Sequence, residues 1–144
     1  MDKRTSFMEL SALLTGMYGI VVDPEHKQLN ESTADEYLRR LTGEFPVALP
    51  KLLLAYDGLA SAAPKPAIDD VLLGKLEAEP EFADPDVVFV AKQIVNIWYF
   101  SQFNTASGST VDGGFYERGL VWPVIKAHPT GYSNQPFGYW TKKP

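Results

Sequence analysis

Asp84–Asn104, DPDVVFVAKQIVNIWYFSQFN, is the stretch on which the fold turns. Asp84 offers a capping oxygen. Pro85 supplies a first-turn residue whose missing N–H would have no helical acceptor there in any case. At 100° per residue, Val87, Val88, Val90, Ala91, Ile94, Val95, Ile97 and Trp98 fall on one side of a helix. The spacing predicts a long, largely buried helix from Asp84 to about Asn104. The opposite side holds Lys92, Gln93 and Asn96, and on the same line Phe89 and Phe100. Two readings of those rings are open. The C-terminal tail covers them, or they help form a partner-facing patch, as exposed apolar clusters often do.

Moving toward the N-terminus, the same period recurs in shorter runs. Phe7, Leu10, Leu13, Leu14 and Met17 mark one helix, stopped at Gly16 or Gly19. Asp23-Pro24 opens a second over Glu25 to Leu41, with Leu29, Tyr37, Leu38 and Leu41 as its apolar face and Gly43 as its stop. Leu49-Pro50 begins a third through Leu52, Leu53, Tyr56 and Leu59. Ala60 to Pro66 reads as a linker, and Ile68 to Glu79 as a fourth helix with Ile68, Val71, Leu72 and Leu76 inward. Leu10, Leu53, Leu72, Ile94, Val95 and Trp98 are expected to share one core.

Toward the C-terminus the character changes. Thr105 to Pro144 holds six Gly, four Pro and seven aromatics. Gly and Pro in that number mark irregular chain, while aromatics drive burial and are scarce in disordered linkers. The tail is therefore expected to lie ordered against something, either its own helices or another protein. A TASGST turn, a short helical piece from Gly114 to Leu120 and an extended Val121–Pro144 are expected. No alternation runs long enough for a substantial sheet. The fold class is all-α: one domain, residues 1–144, with about five helices over 1–104 and an irregular aromatic tail over 105–144.

Composition excludes several function classes. Residues 1–104 carry nine Lys/Arg against sixteen Asp/Glu, and 105–144 carry four against two. An acidic body with no basic stripe argues against nucleic acid. No apolar run approaches the ~20 residues needed to cross a bilayer, so direct membrane insertion is not expected. With no cysteine, disulfides, thiolate catalysis and iron–sulfur ligation are excluded.

The sequence offers little chemistry. His26 and His128 stand far apart, without a carboxylate at ligand spacing, so no metal site is expected. No glycine-rich phosphate turn follows a strand, and no nucleophile elbow occurs. Asp35/Glu36, Asp69/Asp70 and Glu77/Glu79/Glu81 lie on polar faces or helix ends, where solvation is the default. No catalytic, cofactor-binding or metal residue is assigned. A well-patterned chain of this kind reads as a binding protein.

Several motifs, in order, carry a resemblance. Phe7-Met8-Glu9-Leu10-Ser11 with Leu14-Thr15-Gly16 comes first, then Leu49-Pro50 and the helix ending Ile97-Trp98-Tyr99. Tyr116-Glu117-Arg118-Gly119-Leu120 and the closing Gly138-Tyr139-Trp140-Thr141-Lys142-Lys143-Pro144 follow. Together they resemble the small subunit of membrane-bound FAD-dependent sugar and polyol dehydrogenases, of the sorbitol, fructose, glucose and gluconate type. The resemblance implies a cofactor-free accessory subunit that supports folding and export of a large flavoprotein subunit. FAD is expected in that large subunit, and a multihaem cytochrome c subunit in the same complex. It implies a periplasmic place in a membrane-associated assembly. The sequence carries no twin-arginine leader, so the expectation becomes cytoplasmic if the leader is truly absent. It also has Gly119 where the family favours Ala, and a polar insertion around Ser107 to Gly113.

On this reading Trp122, Pro136, Tyr139 and Trp140, with Tyr116, are the expected partner contacts, joined by Phe89 and Phe100. Trp and Tyr combine large contact area with a polar handle and dominate interface energetics. The alternatives are a stand-alone binding or structural module acting as a homo-oligomer, and an independent hydrolase using its acidic residues.

Overall fold

The computed structural model describes residues 2–114. The expected short helix over Gly114–Leu120, apart from Gly114 itself, and the extended Val121–Pro144 lie outside the described residues. Among those described, six α-helices and one small hairpin account for the regular structure, and the all-α expectation holds. By its internal contacts the chain divides into two units, residues 1–95 and 96–144.

In the first unit, α1 (Lys3–Thr15) is capped at its start by Asp2, whose side chain accepts from the Thr5 N–H. It ends at Gly16 in the left-handed region, φ 74°. A glycine reaches that conformation without the steric cost a Cβ would bring. A short α2 (Gly19–Val22) follows, one turn that the periodicity does not show. Next come α3 (Lys27–Glu44), α4 (Ala48–Ala60) and α5 (Asp70–Glu77), the last capped by Asp69. A 3-10 turn, Pro80–Ala83, leads into α6 (Pro85–Phe100). Asp84 caps α6 as expected, its carboxylate accepting from the Asp86 N–H at 2.9 Å.

α1 lies against α2, α3, α4 and α5, which makes it the centre of this unit. Phe7, Leu10, Leu41, Leu49, Leu52, Tyr56, Leu72, Leu76, Val87 and Ile94 are fully or almost fully buried. Burying one such side chain is worth about 1.5–3 kcal/mol. Leu53 is buried as expected, but Val95 is only half-buried and Gln93 is buried in its stead. Two further inward positions are corrected: Leu29 of α3 and Val71 of α5 are exposed. Each stands at the first turn of its helix, where an apolar residue can match the period and still lie beyond the packed face.

Ion pairs decorate the surface. The Arg4 guanidinium grips Asp35 through two hydrogen bonds, of 2.8 and 2.7 Å, joining α1 to α3. Glu36 accepts from Arg39 and Arg40, and their hydrogen bonds hold its carboxyl well down, to about 2.

The second unit corrects the sequence reading of the last helix. α6 stops at Phe100, four residues early, because Ser101 takes a positive φ of 53°. Gln102–Asn104 (β1) then pairs antiparallel with Thr110–Asp112 (β2), Phe103 facing Val111. Phe103 and Trp98 are buried. The Gly113 N–H donates to the Ser101 carbonyl, and a Cβ at 113 would lie 2.7 Å from that oxygen, so only glycine fits there.

Candidate functional site

Of the residues singled out for partner contact, Tyr116, Trp122, Pro136, Tyr139 and Trp140 lie outside the described residues. Phe89 and Phe100 lie within them and part company. Phe89 is half-buried, its ring edge-on to Phe45 with centroids 6.0 Å apart. Such a pair adds about 0.5–1.5 kcal/mol beyond area burial. Phe100 is 49% exposed, tilted against Tyr99 with centroids 6.3 Å apart.

An apolar surface that sequence reading missed runs along α4. Leu49, Leu52, Leu53, Tyr56 and Ala60 turn into the core, which uses up the helical period expected of a surface helix. Val47, Pro50 and Leu54, spaced by three and four, form a second apolar line. Val47 is 77% and Leu54 70% exposed. Beside them opens a cavity of about 330 Å³, whose walls include Leu53, Leu54, Lys3, Ser6 and Asp57. The missed signal was a helix with apolar residues on two sides.

Next to this line lies a polar cluster between α1 and α4. Glu9, buried at 6% exposure on the inner side of α1, accepts the Tyr56 hydroxyl at 2.8 Å and the Lys65 ammonium at 2.7 Å. A carboxylate out of water is tolerable only with such partners. Burial, then the hydrogen bond to the Glu9 carboxylate, pushes the Tyr56 hydroxyl well above its ordinary pKa. One turn earlier on α1, the buried Ser6 hydroxyl donates to Asp57 at 2.6 Å. A second cavity, of about 440 Å³, is lined by Thr5, Asp57, Ala60, Ser61 and Lys65. None of Ser6, Glu9, Tyr56, Asp57 or Lys65 was expected at a site. The legible clue was an isolated Glu9 between Met8 and Leu10 on an apolar helix face.

The structure also corrects the reading of His26 as lacking carboxylates at ligand spacing. Asp23, Glu25 and His26 bring one potential ligand atom each within 4.8 Å of one another. His26 Nδ1 lies 2.7 Å from Asp23, and that hydrogen bond raises the imidazole pKa and lowers that of the carboxyl. The group is largely exposed, and its hydrogen bonds are those of a loop entering α3. Elsewhere Asp69 is spent on the cap of α5, and Asp35 and Glu36 on arginines. Among the described residues, no helix is long and apolar enough to cross a membrane.

Neither a protein-family profile, nor a curated protein, nor a solved structure matches this chain.

Proposed function

We propose that this chain is a cofactor-free accessory subunit of a membrane-associated, FAD-dependent sugar or polyol dehydrogenase, binding and stabilising the large flavoprotein subunit. The observation that carries the docking role is the apolar line of Val47, just before α4, with Pro50 and Leu54 on it, which leaves the Val47 and Leu54 side chains largely in water. Water-exposed apolar patches on a helix are where partners bind, because covering them releases the cost of their hydration. The class of partner rests on the resemblance of the ordered motifs from Phe7 to Trp140. On the same reading the tail aromatics Tyr116, Trp122, Tyr139 and Trp140, with Pro136 and the exposed Phe100, are further partner contacts by their chemistry. FAD belongs to the large subunit in this reading, haem to a cytochrome c subunit, and the assembly to the periplasmic side of the membrane.

Paired variants test it. Leu54→Asp places a charge on an already exposed position and should leave helicity and melting temperature nearly unchanged. Trp140→Ala should do the same. Each should weaken association with the large subunit by about 2 kcal/mol or more, about thirtyfold, as interface hot spots do. Association unaltered by both would remove α4 and the tail from the interface. Self-association that Leu54→Asp abolishes would favour a homo-oligomeric module instead.

A further inference from the structure

The cavity on the α1–α4 side, largely apolar in its lining, carries two charges on its wall that are held by buried groups. Asp57 is held by the buried Ser6 hydroxyl, and Lys65 by the buried Glu9, itself held by Tyr56. Surface charges are ordinarily held by other surface charges and wander. Here each charge on the wall has a buried neutral or oppositely charged support, which is how a binding site is preorganised.

The hydrogen-bond inventory then defines what is missing. The Lys65 ammonium has three N–H groups and one goes to Glu9, so donors remain for a ligand anion. The Thr5 and Ser61 hydroxyls already donate, to Asp2 and to the Gly58 carbonyl, so toward the cavity each offers lone pairs. Glu9 and Lys65 balance each other. Asp57 accepts only from a neutral hydroxyl and has no cation within ion-pair distance among the described residues. The wall thus presents one cationic donor, one uncompensated carboxylate and two hydroxyl acceptors around about 440 Å³, within the range of small-ligand pockets.

We propose that this cavity binds a small zwitterion of the free α-amino acid class. The ligand ammonium meets Asp57 with the Thr5 and Ser61 hydroxyls, and its carboxylate meets Lys65. Ala60, with a single methyl group, leaves room between them. The inference stands apart from the dehydrogenase-subunit reading and does not need it.

The test is a titration of the isotope-labelled, full-length chain with a panel of free L-amino acids, followed by amide chemical shifts. At least one should give saturable shifts centred on Thr5, Asp57, Ser61 and Lys65. Sodium acetate and methylammonium chloride, each carrying one half of the recognition, should not saturate. Asp57→Asn keeps an acceptor for Ser6 and should weaken binding at least tenfold. Ser61→Ala, at an exposed position after α4, should weaken it several-fold in a chain that folds normally. No saturable shift with any amino acid would overturn the proposal, as would saturation by acetate alone or full affinity in folded Asp57→Asn.

Discussion

Glu9 is the residue at which sequence pattern and structure part most usefully. A carboxylate flanked by Met8 and Leu10 on the apolar side of α1 breaks the helical pattern, and the break marks a buried hydrogen-bond network. Its partners could not be read in advance, because Tyr56 and Lys65 stand 47 and 56 residues away. Tyr56→Phe removes one donor and leaves the buried carboxylate short of a partner. The expected loss is about 1–3 kcal/mol, read from thermal or denaturant melts. The alkaline limb gives the sign of the Tyr56 shift. A hydroxyl whose folded-state pKa lies above its unfolded value of about 10 contributes stability that is full below that pH. The contribution is lost as pH rises further, so the advantage of the parent over Tyr56→Phe should shrink above about pH 10. Both proteins are best compared in a Lys65→Arg background, which keeps a permanent cation beside Glu9 across that range. An advantage that grows with pH there would contradict the assigned hydrogen bond.

At the scale of elements, helix starts were legible where one residue type settles them. Asp84-Pro85 announced α6, and Gly16 or Gly19 the end of α1, which falls at Gly16, because capping and left-handed termination depend on local chemistry. The same signals misplace α3, which starts only at Lys27 and runs through Gly43. Elements set by distant contacts were not legible. Past Trp98 the apolar side of α6 meets Ser101 and Gln102, both polar, while Phe103 falls on the opposite side, so the period fades near the stop without fixing it at Phe100. What decides it is Ser101 in the left-handed region, with Gly113 pressed onto its carbonyl. Three-residue strands such as β1 and β2 are too short to show alternation. Likewise α2 is a single turn, shorter than any period. Asp69 tests the local rule on α5: its carboxylate accepts from the Leu72 N–H at 3.0 Å. Asp69→Ala should cost about 0.5–2 kcal/mol of stability. Asp69→Asn, still a good cap, should cost much less. Equal losses in the two variants would show that charge, not the capping bond, matters there.

At the scale of the whole molecule, the all-α class followed from periodicity, whereas the exposure of Val47 and Leu54 did not. Val47 and Leu54 match the apolar period of α4 as well as Leu49 and Leu53 do, and only tertiary packing decides which side is covered. The acidic helical body and the more basic, aromatic C-terminal stretch fit a protein that works by binding. The most direct measurement of that claim is affinity purification of the native complex through this chain, followed by its absorption spectrum. The account predicts a large co-purifying subunit with flavin bands, accompanied by c-type haem bands, while the chain isolated from that complex carries neither. A chain that purifies with no large subunit and no flavin, under conditions where it is folded, would contradict it.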